Sequence, residues 1–206
     1  MTSGEAASVE SLGVFGGTFD PIHVGHLVAA SEAISAFGLD RVMFVPAGRP
    51  WQKTSHADAE DRFMMTTLAT RGHARFSVSR IELDRRGPTY TIDTLAALKD
   101  FFGARLYFIA GADTVTELGT WHQVDELAAL TEIIAVTRPG FALDVSTHPS
   151  WPTIHPMEIP GIDVSSTMIR NRIAAGQPID YLVPPEVGDY IASHGLYLEM
   201  RAAADG

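Results

Sequence analysis

Between an apolar run, Leu12-Gly13-Val14-Phe15, and a stretch with apolar residues at helical spacing, Leu27, Ala30, Ile34 and Phe37, lies the string Gly16-Gly17-Thr18-Phe19-Asp20-Pro21-Ile22-His23-Val24-Gly25-His26. Adjacent glycines let backbone N–H groups approach an anion with no Cβ in the way, and the start of the following helix adds free donors and the positive end of its dipole. Phosphate is the guest that such a turn suits. His23 and His26 stand three residues apart, so at a helix entrance they project to a common side and can donate to phosphoryl oxygens without a large basic patch. The pair could also ligate a metal, but no third ligand at an evident spacing accompanies it. Taken singly, the glycines read as a tight turn and Asp20-Pro21 as a helix start; the whole string together favours phosphate chemistry.

A second cluster lies far downstream, Val164-Ser165-Ser166-Thr167-Met168-Ile169-Arg170. Its hydroxyls are good helix caps, and a capped helix N-terminus suits the β and γ phosphates of a nucleotide. Arg170 offers several donors for charge developing on a leaving pyrophosphate. An N-cap followed by a surface arginine is the plainer alternative.

These residues sit in an α/β framework. Leu12 to Phe15, Val42 to Val45, Phe76 to Val78, Leu106 to Ala110 and Ile133 to Val136 read as strands. Helical patterns separate them, from Leu27 to a stop at Gly38, from about Asp58 to Thr70, and from Thr91 to Phe101. Alternation of this kind predicts a doubly wound parallel sheet, with a small helical portion at the C-terminus, and such sheets bind ligands beyond the carboxyl ends of their strands. The expected organisation is one domain over 12–200, a flexible extension over 1–11 and a frayed tail over 201–206. The segment from Gly140 to Pro160, rich in Pro, Ser, Thr and His, reads as a mobile loop over the site.

The chain has 206 residues, 46% of them hydrophobic and 19% charged, which is ordinary globular usage. Its formal net charge of −10 argues against nucleic acid as a partner, because polyanion binding works through many Lys and Arg contacts. The few basic groups must therefore converge locally, or a divalent cation must assist. No apolar run approaches the roughly 20 residues needed to span a bilayer, so no membrane partner is expected. The N-terminus has no secretory pattern and the chain has no cysteine, which points to the cytoplasm and leaves no thiolate nucleophile or Cys-ligated metal. A homo-oligomer remains open.

The Gly16 to His26 string resembles the Gly-x-Phe-Asp-Pro-x-His-x-Gly-His element of the HxGH nucleotidyltransferase superfamily, and Val164 to Arg170 is similar to its Ile-Ser-Ser-Thr-x-Ile-Arg element. The resemblance implies a Rossmann-like nucleotidyltransferase fold and a reaction in which a mononucleotide phosphate attacks the α-phosphorus of a nucleoside triphosphate and releases pyrophosphate. His23, His26 and Arg170 would be catalytic. Gly16, Gly17, Thr18, Phe19, Ser165, Ser166 and Thr167 would join them in binding ATP, with Mg²⁺ accompanying the nucleotide and no dedicated protein metal site.

Between the two elements the chain looks like the bacterial nicotinate mononucleotide adenylyltransferases. Gly87-Pro88-Thr89-Tyr90-Thr91-Ile92-Asp93-Thr94-Leu95 is similar to that family's Gly-Pro-Ser/Thr-Tyr-Thr-x-Asp-Thr-Leu segment, and Gly111-Ala112-Asp113 with Leu118 and Trp121 to its Gly-x-Asp, Leu, Trp series. The likeness implies that Gly111 and Asp113 contact the ATP ribose, and that Lys53, Thr89, Tyr90, Leu118 and Trp121 form a nicotinate mononucleotide site. Core packing is the alternative for Trp121. Where many relatives have Pro-His-Lys, this chain has Pro50-Trp51-Gln52-Lys53, with Gln52 in place of an imidazole. Two competing readings are a sister transferase acting on nicotinamide mononucleotide or phosphopantetheine, and a nucleotide-binding module without turnover.

Overall fold

The computed structural model describes residues 9–48, 55–140 and 148–198. Six strands form one sheet in which every pair is parallel: β1 (Ser11–Gly17), β2 (Arg41–Pro46), β3 (Phe76–Val78), β4 (Arg105–Gly111), β5 (Thr131–Thr137) and β6 (Ile154–Glu158), in the order β3-β2-β1-β4-β5-β6. The connections are α1 (Val24–Phe37), α2 (Ala59–Thr70), α3 (Thr91–Phe102), the short α4 (Ala112–Thr116), a 3₁₀ turn at Leu118–Thr120 and α5 (Val124–Leu127). Two helices follow the sheet, α6 (Ser166–Ala174) and α7 (Pro185–His194).

The pleat explains why the strands read as continuous apolar runs. Successive side chains point to opposite faces, and both faces are covered. Phe15, Phe44, Tyr107, Ile109 and Ile134 join the apolar cluster with α1, α2, α6 and α7, whereas Leu12, Val14, Leu106, Phe108 and Ile133 join the one with α3 and α5. The doubly wound expectation holds, and chain direction across the sheet reverses between β1 and β4, whose register pairs Phe15 with Ile109. That reversal opens a crevice at the carboxyl ends of these two strands.

The segment from Gly140 to Pro160 is not a loop throughout: β6 occupies Ile154–Glu158 and pairs with β5. Pro156 masks it in the sequence, because proline cannot donate to a ladder, but β6 is the last strand of the sheet and an edge position tolerates that loss. Residues 141–147 of that segment, the expected tail over 201–206 and most of the expected extension lie outside the described residues; Ser11 opens β1. Among the described residues no helix is long and apolar enough to cross a membrane.

α2 carries a buried arginine that fastens the sheet's central turn. Arg62 is 1% exposed and donates from one terminal nitrogen to the Thr18 carbonyl at 2.8 Å and from Nε to the Ala57 carbonyl at 3.3 Å. Removing it would strand both acceptors and leave a void. Arg62→Met is expected to lose about 2–4 kcal/mol of stability in urea unfolding. Arg80→Met, which breaks a solvated pair with Glu60, should leave the midpoint unchanged. Equal effects would contradict the fastening role.

Candidate active site

The turn after β1 is held from three directions. Asp20 is 3% exposed, and its carboxylate accepts the N–H groups of His56 at 2.6 Å and Ala57 at 3.1 Å and the Tyr197 hydroxyl at 2.8 Å. Burial, then the Asp20 charge, push the Tyr197 pKa up, so the phenol keeps its proton and remains the donor. The carbonyls of the same turn are taken as well: Arg170 donates to Asp20 O at 2.7 Å, and the Ser166 hydroxyl to Pro21 O at 2.8 Å. Phe19 sits at φ 50, a left-handed conformation that a non-glycine residue adopts only under constraint, and its ring is buried against Phe15 and Phe44.

This pinned turn delivers the histidines. His23 is the N-cap of α1, and its ring stacks on that of His26 with centroids 3.7 Å apart. The His23 N–H donates to His26 Nδ1 at 3.2 Å, so a neutral His26 carries its proton on Nε2 and presents that nitrogen as a donor. Phe19 supports the His26 ring edge-on at 5.1 Å. His23 is 7% exposed, and burial followed by the nearby Arg138 cation pulls its pKa down to about 4, leaving it neutral at pH 7. Gly25 makes this seat available, since a Cβ there would lie 3.1 Å from both His23 Nδ1 and a Val164 methyl.

A cavity of about 670 Å³ opens beside the pair. Its walls bring together every residue that the sequence nominates for ATP: Gly16 to Phe19, both histidines, Gly111 and Asp113 at the end of β4, and Ser165, Ser166, Thr167 and Arg170 at the start of α6. The hydroxyls of α6 have protein partners. Ser165 caps the helix by accepting Met168 N–H at 3.2 Å, Ser166 holds Pro21, and Thr167 accepts from Arg170 at 3.1 Å. Among the described residues, Arg170 Nε is buried without a hydrogen-bond partner. Arg138 also lines this cavity, tethered to Asp163 at 2.8 Å and the Val164 carbonyl at 3.0 Å. The available signal for it was its place directly after β5, at a carboxyl end.

A second cavity of about 260 Å³ shares Gly16, Gly17, Thr18, Gly111, Asp113 and Thr114 with the first, so the two meet at the crevice between β1 and β4. Thr89, Tyr90 and Trp121 line it. The Trp121 ring stands edge-on to Phe108 at 5.5 Å, so it serves core and cavity together. Leu118 is fully buried in the apolar cluster rather than on the cavity wall, because the 3₁₀ turn directs it inward. Lys53 and Gln52 lie outside the described residues. Glu82, Glu117 and His122, the last stacked on Tyr90 at 4.3 Å, complete the wall and carry no motif in the sequence. Among the described residues no three of His, Cys, Asp and Glu gather as a metal site.

The cytidylyltransferase-like family model matches residues 14–172. The chain is 53% identical over 189 residues to a Saccharopolyspora erythraea protein named "Probable nicotinate-nucleotide adenylyltransferase", spanning 90% of this chain and 89% of that one. A Corynebacterium kroppenstedtii protein of the same name is 52% identical over 191 residues, 91% and 90% of the two chains. The fold is also that of a Plasmodium falciparum nicotinic acid mononucleotide adenylyltransferase complexed with NaAD, with a TM-score of 0.76 at 21% identity over 91% of this chain and 97% of that one. With both motifs at one crevice and relatives of this closeness along nearly its whole length, the chain belongs to the cytidylyltransferase-like family and, within it, to the nicotinate-nucleotide adenylyltransferases.

Proposed function

We propose that this chain transfers the adenylyl group of ATP to nicotinate mononucleotide, forming deamido-NAD and pyrophosphate, as a cytoplasmic enzyme of NAD biosynthesis. The observation that carries the proposal is the pair of cavities sharing one glycine-rich wall, with the stacked histidines on the larger. Such a layout suits two phosphorylated ligands that must react with each other.

ATP enters the larger cavity as its Mg²⁺ complex, the cation travelling on the triphosphate as part of the substrate. Asp113 accepts the ribose hydroxyls beyond β4. The mononucleotide ring lies in the smaller cavity against Trp121 and Tyr90, with Thr89 beside it. A phosphate oxygen of the mononucleotide attacks the α-phosphorus, the bond to the β-phosphate oxygen breaks, and pyrophosphate leaves with the electron pair. His26 donates from Nε2 to the reacting phosphate, neutral His23 stands behind it, and Arg170 stabilises the charge gathering on pyrophosphate. None of these groups needs to form a bond to the substrate, so catalysis consists of positioning and preorganised donors.

Pyrophosphate release from ATP with nicotinate mononucleotide, nicotinamide mononucleotide or phosphopantetheine as acceptor tests this reading. Nicotinate mononucleotide is expected to have the highest kcat/KM, and His26→Ala to lower turnover about 10²–10³-fold in a folded protein. A preference for another acceptor overturns the substrate, and binding without release overturns the enzyme.

His23 takes its proton near 6.5 in an unfolded chain and near 4 in the fold, so the unfolded state binds more protons between those values. Stability supplied by neutral His23 is complete above pH 6.5 and is lost as pH falls through about 4. Urea midpoints of the wild type should therefore fall more steeply across that window than those of His23→Gln. Parallel curves would mean that His23 titrates alike in both states.

A further inference from the structure

The smaller cavity holds one carboxylate whose partners come from the segments that frame it. Glu82, between β3 and α3, accepts the Thr94 hydroxyl at 3.0 Å, and the Thr89 side chain and the Gly48 N–H lie near enough to the same carboxylate to favour its charge. Arg85 donates to the same Thr94 oxygen at 3.2 Å. Thr94 is buried on α3, Thr89 directly precedes Tyr90 at that helix's N-cap, and Gly48 follows Ala47, itself on the cavity wall. The backbones are fastened too: a Cβ on Gly48 would fall 2.2 Å from the Glu82 carbonyl oxygen, so only glycine permits this approach. Glu82 thus joins Gly48, just after β2, to the entrance of α3, beside the wall of the smaller cavity.

A carboxylate accepts only, and here it is matched by donors from separate segments. Burial pushes its pKa up, and the hydrogen bonds from Thr94, Thr89 and Gly48 oppose that rise. Were its role to hold the core alone, an apolar residue would avoid the desolvation cost; what a charged acceptor adds is a fixed orientation for several donors at once.

We propose that Glu82 is a positioning residue for the mononucleotide, holding Gly48 and Thr89-Tyr90 in the geometry that receives the ligand. This rests on the function proposed above and assigns to one residue the shaping of the acceptor cavity. Glu82 does not touch the reacting atoms. Glutamine is nearly the same shape but offers one oxygen and an NH₂ group to three donors, so the frame loses an acceptor and gains a clash of donors.

Calorimetric binding of nicotinate mononucleotide and of ATP to the full-length protein separates positioning from general stability. Glu82→Gln is expected to raise the Kd for the mononucleotide at least about tenfold and to leave that for ATP within about twofold. Thr94→Val, which removes one donor on the side away from the ligand, should shift the mononucleotide Kd in the same direction by a smaller factor, and it carries the test alone should Glu82→Gln not fold. A lowered melting temperature with both Kd values unchanged in the folded variants would overturn the positioning role. Equal weakening for both ligands would overturn it too. A wild-type protein that binds ATP but no nicotinate mononucleotide would instead overturn the function on which this rests, and with it the assignment.

Discussion

The turn from Thr18 to Pro21 seats the Phe19 ring in the core, and its backbone is held by polar groups arriving from elsewhere. Asp20 stands at its centre, out of water, with donors from residues 56, 57 and 197 on its carboxylate and Arg170 on its carbonyl. A buried carboxylate without such partners would be costly, and with them it fixes the relative positions of segments up to 177 residues apart in the chain. The stacked histidines are the next residues along. Their placement therefore depends on this hydrogen-bonded hub together with the helix that follows, since His23 caps α1 and His26 lies in its first turn.

This hub also explains how an acidic chain can host phosphate chemistry. With a formal net charge of −10, the long-range field of the chain repels an anionic substrate. Locally, though, Arg62, Arg138 and Arg170 converge on the crevice, each oriented by a backbone carbonyl. Arg62 is spent on structure. Arg138 and Arg170 reach the cavity wall, and the cation on Arg138 helps to keep His23 neutral. Local preorganisation thus replaces a basic surface.

Much of this was legible in the sequence because it is local. The glycine turn, the histidine pair and the α6 cap are each contiguous, and strands buried on both faces announce themselves as apolar runs. What escaped is what depends on distance. Nothing near Arg62 or Tyr197 signals that each ends at the turn after β1, because their partners lie 44 and 177 residues away. β6 was hidden by Pro156, whose edge position is a property of the sheet. Leu118 belongs to a recognisable series, but a series gives spacing and not direction, and the 3₁₀ turn sends this side chain into the core. Glu82 has no motif at all; its meaning comes from Gly48, Thr89 and Thr94 meeting around it.

At the centre of this account stands a single displacement between two ligands held across one wall, with the protein supplying donors but no nucleophile. The stereochemistry at phosphorus tests that directly. Turnover of ATP carrying a chiral α-thiophosphate with nicotinate mononucleotide should yield a product inverted at that phosphorus. Net retention would require two displacements through an adenylylated enzyme and would contradict the account.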